Sequence, residues 1–126
     1  MPTTAEDRDE ILQLLYRYNH LIDGGDADGW GDTFTEDAVF DAAGNVLTGR
    51  DALKGFAVSV AGVGRHLVLN PVIDVNGDTA TSRAYLMLVA GGAIAAVRSY
   101  ADELVRTPEG WKFAKRVFTI DAPAGA

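Results

Sequence analysis

The sequence predicts an α+β domain, a cone-shaped α+β barrel in which a curved antiparallel sheet wraps around N-terminal helices. Three observations predict it. An apolar stripe of helical period runs through residues 5–23. The second half carries three turn signals, Asn76-Gly77-Asp78, Gly91-Gly92 and Pro108-Glu109-Gly110, which divide it into long β-prone segments. Helices therefore come first and an antiparallel meander follows. A strongly twisted sheet folded around a helix leaves a cone-shaped cavity, the natural seat of a small ligand.

Each element has its own signal. In residues 5–23, Ile11, Leu14, Leu15, Tyr18 and Ile22 form the buried stripe, and Leu12, Tyr16, Asn19 and Asp23 a more polar one beside it. Thr4 is the expected N-cap, acids fill the first turn, and Gly24-Gly25 stops the helix. Asp26 to Phe34 reads as a short second helix capped by Asp26, with Trp30 and Phe34 on one face and Glu36-Asp37 at its end. Short strands are expected at Ala38–Asp41 and Val46–Thr48, around the turn Ala43-Gly44-Asn45. A third helix follows from Asp51 to about Val60. The long strands are His66–Val75, broken in character by Pro71, then Thr79–Val89, Ile94–Arg106 and Trp111–Ile120. Asp121 to Ala126 is a small-residue tail expected to fray.

The 126 residues make one domain, 1–126, with one core, and no repeat or linker divides them. With no cysteine, disulfides, zinc–thiolate sites and cysteine nucleophiles are excluded. A net charge of −7 and a pI near 4.6 disfavour nucleic acid and anionic membranes as partners. Met1 to Arg8 lacks the features of a signal peptide, and no apolar run approaches the roughly 20 residues that span a bilayer. The expected location is the cytoplasm. Dinucleotide, P-loop, nucleophile-elbow and zinc-protease motifs are absent. Asp74, Asn76 and Asp78 lack the spacing and final glutamate of a calcium loop. No metal and no organic cofactor is expected.

Four residues carry candidate chemistry: Asp23, His66, Tyr18 and Arg116. Asp23 ends the first helix, where the dipole mildly disfavours a carboxylate. A local choice against the rules points to function, although a solvated aspartate is the simpler reading. His66 opens a strand. On alternation it shares a face with Val68, Asn70 and Val72, while Leu67, Leu69, Ile73 and Val75 take the other. A histidine hydrogen-bonded at a sheet edge is the plainer alternative. Tyr18 belongs to the apolar stripe, and a core tyrosine fits it equally. As a set, however, a histidine and an aspartate in an apolar pocket make a general-base device. A tyrosine or arginine then polarises a carbonyl or assists a leaving group.

The chain resembles, over nearly its full length, the SnoaL-like branch of the nuclear transport factor 2-like superfamily. The resemblance rests on Tyr18-Asn19-His20-Leu21-Ile22-Asp23, Asp26, Trp30 and Phe34-Thr35-Glu36-Asp37-Ala38-Val39-Phe40. Arg65-His66, Asn70, Gly77-Asp78, Gly110-Trp111-Lys112-Phe113 and Arg116 complete it. It implies three N-terminal helices and a curved sheet around an apolar pocket. It also implies that Asp23 and His66 match the catalytic dyad of the scytalone dehydratase-like group, which includes a hexachlorocyclohexane dehydrochlorinase and bile acid 7α-dehydratases. Tyr18 matches a tyrosine of the bile acid enzymes. Arg116 matches an arginine that lies close to the aspartate in the dehydrochlorinase. Phe40, Val89 and Tyr100 fall where those relatives line the pocket; Asn70, on the face of His66 by alternation, is a further expected pocket residue. The further histidine and tyrosine groups of scytalone dehydratase itself, and the catalytic carboxylates of ketosteroid isomerases and limonene epoxide hydrolases, have no match here.

The expected function is a cofactor-independent lyase or isomerase, with dehydratase-like proton abstraction from a small apolar substrate by the His66–Asp23 dyad. The alternative is a non-catalytic small-molecule-binding or oligomerisation module of the same fold. A dioxygenase β-like subunit fits less well, since those chains are usually longer. A homodimer or homotrimer is expected, because Leu67, Leu69 and Ile73 would leave the outer sheet face apolar.

Overall fold

The computed structural model describes residues 2–121, so the expected fraying of residues 122–126 lies outside the described residues. Three helices are formed, α1 (Thr4–Asp23), α2 (Ala27–Gly31) and α3 (Arg50–Ser59). Six strands follow the order β2-β1-β6-β5-β4-β3 in one curved sheet: β1 (Phe34–Ala42), β2 (Asn45–Thr48), β3 (Arg65–Asn76), β4 (Thr79–Ala90), β5 (Ala93–Thr107) and β6 (Gly110–Ile120). The α+β class is as expected. Every neighbouring pair is antiparallel except β1 and β6, which run parallel and close the N-terminal hairpin onto the meander.

The helical stripe is buried as its period requires, with Ile11, Leu14, Leu15, Tyr18 and Ile22 at most 4% exposed. It meets an aromatic cluster in which Trp30 stacks edge-on against Phe34 (5.1 Å between ring centres) and Tyr18 against Phe113 (5.6 Å). The N-cap lies one residue before the expected Thr4: the Thr3 hydroxyl accepts from the Glu6 amide at 3.1 Å. The second helix is shorter than expected. The Phe113 amide donates to the Thr33 carbonyl and Arg50 donates to that of Phe34, so sheet pairing captures the chain where helical spacing would have continued. Phe34 therefore joins Trp30 in the core from a strand.

Two bulges decide which residues face inward. In β3, Leu69 pairs with Tyr85 and Val72 with Arg83, so Asn70 and Pro71 together oppose Ala84. Asn70 takes a positive φ of 52°, which asparagine tolerates, and Pro71 donates no amide to the ladder. The alternation reverses there. His66 and Val68 face in before the bulge, Ile73 and Val75 after it, and Val72 is turned out at 48% exposed. Ile73 is thus part of the core and not of the outer face, contrary to the sequence expectation. In β6 the pairs Leu104–Phe113 and Glu103–Lys115 leave Ala114 as the extra residue, which lets both Phe113 and Arg116 point inward.

A polar clamp ties the start of α1 to two hairpins. Asp7, only 5% exposed, accepts from Arg106 at 2.7 and 2.9 Å and from the Trp111 indole at 3.2 Å, while Arg106 also donates to Asp78 at 3.0 Å. The Arg106 hydrogen bonds hold the Asp7 carboxyl below the usual carboxylate value; burial opposes them, and Trp111 and the Arg106 charge reinforce them. Because the folded value lies below the unfolded value of about 3.9, this stabilisation is complete above about pH 4 and disappears as pH falls through the folded value. Asp7→Asn is expected to lower the urea midpoint near neutral pH, by an amount that narrows below about pH 4. A difference of constant size across that range would exclude the ion pair as its source.

Candidate functional site

Asp23 is the last residue of α1. Gly24 caps the helix through the His20 and Ile22 carbonyls, Gly25 turns with a φ of 77°, and the Asp26 amide bonds back to the Leu21 carbonyl. This tight corner presents the Asp23 carboxylate to the beginning of β3. Asp23 Oδ1 lies 2.6 Å from His66 Nδ1. The His66 backbone amide donates to the same carboxylate at 3.2 Å (Oδ1) and 3.0 Å (Oδ2). A carboxylate beside Nδ1 selects the tautomer with the proton on Nδ1, which leaves Nε2 with a free lone pair. The two side chains are only 11% and 15% exposed.

His66 lines a cavity of about 150 Å³ whose walls come from every layer of the fold. Tyr18 and Ile22 enter from α1, Phe56 from α3 with Val60 and Val63 just beyond it, and Phe40 from β1. Leu86 and Leu88 of β4, Tyr100 and Arg98 of β5 and Phe118 of β6 close it. The lining is apolar apart from one imidazole, two phenols and one guanidinium.

Behind the two tyrosines lies a buried ion pair. Arg116 is 1% exposed, and its Nε lies 3.0 Å from Asp102 Oδ1. The Ser82 hydroxyl donates to Asp102 Oδ2 at 2.6 Å. The guanidinium carbon stands 3.4 Å from the ring centre of Tyr100, 4.4 Å from Tyr18 and 4.6 Å from Phe113. Burial raises the Asp102 carboxyl against the pull of Arg116 and Ser82. For Arg116, burial acts to lower the value, and Asp102 with the two tyrosines more than offsets it, so the cation is retained. Burial also lifts both phenols, Tyr18 strongly, while Arg116 draws them back. They remain neutral hydrogen-bond donors whose acidity the cation enhances relative to an equally buried phenol without it.

The structure brings Asp23, His66, Tyr18, Phe40 and Tyr100 together as the sequence reading grouped them. It corrects three positions. Arg116 pairs with Asp102, its cross-strand neighbour, and not with Asp23, so it stands behind the phenols and does not line the cavity. Asn70 leaves the face of His66 at the bulge and lines a depression on the outside of the sheet. Val89 follows inward-facing Leu88 across a register shift and turns to a surface cleft, with its carbonyl against Gly64. The reading missed Arg98, Asp102 and Ser82. For two of them the signal was present, since Arg98 and Asp102 flank Tyr100 at two-residue spacing, the period of one strand face.

Among the described residues no group of three His, Asp or Glu side chains is arranged to hold a metal ion. None of the described helices is long and apolar enough to cross a membrane.

A profile of the SnoaL-like domain matches residues 3–117. Uncharacterized protein Rv2910c of Mycobacterium tuberculosis H37Rv is 36% identical over 124 residues, covering 90% of this chain and 84% of that protein. Among solved structures, Rv3472, a protein of unknown function from Mycobacterium tuberculosis, superposes with a TM-score of 0.83 at 34% identity, covering 91% of this chain and 72% of that one. An NTF2-like protein with a cystatin-like fold from Novosphingobium aromaticivorans superposes at 0.83 with 28% identity, covering 97% and 87%.

The buried pair generates a stability prediction. Asp102→Ala leaves the Arg116 cation buried and unpaired, and is expected to cost about 3–5 kcal/mol in urea unfolding. The double variant Asp102→Leu/Arg116→Met, which buries no charge, is expected to recover much of that loss. A single variant as stable as the parent would show that the cation is balanced by other groups.

Proposed function

The chain belongs to the SnoaL-like domain family, and we propose that it is a lyase or isomerase that needs no cofactor and takes a small, largely apolar substrate. The observation that carries the reading is the 2.6 Å contact between Asp23 and His66, with His66 on the wall of a largely apolar cavity. In the dehydratase-like form, His66 Nε2 takes a proton from a substrate carbon. The electron pair of that C–H bond becomes the new double bond. The neighbouring C–O bond breaks, and the oxygen leaves as water with the proton that His66 has just taken, so the imidazole is neutral again, while Tyr18 or Tyr100 donates a hydrogen bond to the departing oxygen. Asp23 stays ionised, holds the ring and stabilises the imidazolium. The largely apolar walls lower the local dielectric and strengthen these interactions. In an isomerisation, the proton on His66 returns to a different carbon.

Because a β-hydroxy ketone gives an ultraviolet-absorbing enone on dehydration, a panel of such ketones reads the reaction directly. His66→Ala is expected to lose turnover by about 10²–10⁴-fold while its melting temperature stays close to that of the parent. Asp23→Asn is expected to lose a similar factor, because a side-chain amide can offer its NH2 to Nδ1 and put the ring proton on Nε2. Binding of panel members without turnover would return the protein to a ligand-binding role, and a His66→Ala variant of undiminished rate would exclude His66 as the base.

The proposal extends to a homo-oligomer. Tyr85 (51% exposed), Val72 (48%), Val97 (45%) and Leu67 (39%) are large apolar or aromatic side chains exposed on β3, β4 and β5. Tyr85 and Val72 border a depression of about 330 Å³ on the outer face of the sheet. A second copy of the chain is the occupant we assign to this face, since it would cover four large exposed apolar or aromatic side chains on adjacent strands at once. Sedimentation velocity at micromolar concentration should give a dimer or trimer, and Tyr85→Glu should give a monomer. A monomeric parent would exclude it.

A further inference from the structure

The cavity holds one charged group that neither the dyad nor the buried ion pair uses. Arg98 lies on β5 two residues before Tyr100 and on the same face, between Leu86 of β4 and Ile120 of β6. It lines the cavity together with His66 and is part-buried. Its guanidinium carbon rests 4.9 Å from the ring centre of Phe118. Among the described residues it forms no salt bridge, and it is the one arginine among the residues lining this cavity, whereas Arg116 behind the phenols is paired with Asp102. The chain has 18 acidic side chains against 11 basic ones, so acidic partners are not scarce.

An arginine keeps its charge, offers five donors and accepts nothing. Part-buried against a largely apolar wall with no carboxylate beside it among the described residues, it is placed to pair with an anion that enters the cavity. A planar fork matches a carboxylate in bidentate fashion better than it matches a neutral carbonyl. The position is also consistent with a role in the same cavity as His66. β4 lies between β3 and β5, with His66 opposite Leu88 and Arg98 opposite Leu86. Strand spacing and rise put the two Cα positions roughly 12 Å apart. Both side chains line the same cavity, so one small molecule there can meet both. The volume agrees: the cavity is about 150 Å³, and an engineered apolar cavity of about that size takes benzene.

We propose that Arg98 binds the carboxylate of the substrate, so that the site takes a small apolar carboxylic acid of about one ring in size, with its reacting carbon at His66. This deepens the proposed function and rests on the cavity being the substrate site. The apolar walls hold the ring, the guanidinium holds the acid, and the two contacts together fix which carbon faces Nε2.

The test is equilibrium binding with acid–amide pairs that differ only at the proposed contact: 3-phenylpropionate against 3-phenylpropionamide, and cyclohexanecarboxylate against its amide. Titrations followed by amide-proton spectra also report whether each variant is folded. The parent is expected to bind the acids about 10- to 100-fold more tightly than the amides, the size of hydrogen bonds to a charged group. Arg98→Gln should abolish that preference and leave amide binding unchanged, and Arg98→Lys should retain part of it as a point charge. His66→Ala should keep the preference, which separates the anion contact from a protonated imidazole. No acid preference in the parent, whether both members of each pair bind equally or neither binds at millimolar concentration, overturns the proposal. So does a preference that survives Arg98→Gln. The proton-abstraction reading stands or falls on turnover by His66→Ala, which these titrations do not read.

Discussion

The arrangement turns on one buried cation. Arg116 lies within 4.6 Å of the ring centres of Tyr18, Tyr100 and Phe113, with the Asp102 carboxylate 3.0 Å from its Nε. A guanidinium cannot escape the cost of burial by losing its proton. The fold must therefore balance it in place, and does so with side chains from α1, β5 and β6, while Ser82 of β4 holds the second oxygen of Asp102. Apolar packing alone tolerates a helix that shifts along its groove, because one leucine contact substitutes for another. A charge between aromatic faces does not. Sliding α1 by one turn, about 5.4 Å, would take Tyr18 off the cation, and Asp23, five residues further along the same helix, off His66. The core and the dyad are thus held in one register.

The dyad itself is made where two elements end. A carboxylate at a helix C-terminus is disfavoured by the dipole, and the structure offsets this with three contacts from one residue, the backbone amide and the imidazole of His66. The backbone contacts matter to the chemistry. They fix the carboxylate relative to the strand and not only to the ring, so the imidazole is oriented by a group that the sheet already holds. For the proton abstraction proposed above, such support from the backbone would keep the base in one geometry without an ordering step when a ligand enters.

What the sequence made legible follows the same physics. The stripe from Ile11 to Ile22, the glycine stop after Asp23 and the three hairpin turns are local signals, and each element they predict is present within a few residues. The pairing of Asp23 with His66 was suggested by resemblance and not by spacing, because 43 residues separate the two. Asn70 and Ile73 were misplaced for one reason. Alternation assigns faces only while a strand stays regular, and the bulge at Asn70-Pro71 reverses it, sending Asn70 outward and Ile73 inward. Pro71 was the visible sign, since a proline inside a strand marks an edge or a bulge. The register shift after Leu88, by contrast, has no comparable marker in the residues around Val89. Phe34 shows the opposite failure, where a valid helical spacing to Trp30 gave way to long-range pairing with β6.

The inner face of β5 then shows how one strand serves both core and cavity. Reading outward, it carries Leu104, Asp102, Tyr100 and Arg98. Asp102 is neutralised by Arg116, whereas Arg98 has no carboxylate against it among the described residues. The chain as a whole carries −7, so its long-range field repels anions. That field is screened beyond about 8 Å at physiological salt, whereas a guanidinium in an apolar wall acts at contact distance, where the low local dielectric strengthens it. An acidic surface and an anion-seeking cavity are therefore compatible. The surface lowers the rate at which anions arrive without reference to their shape, and the cavity retains only an anion whose apolar body fits the walls. Selectivity of that kind comes from requiring the carboxylate and the ring in the same molecule, which neither the charge nor the cavity would impose alone.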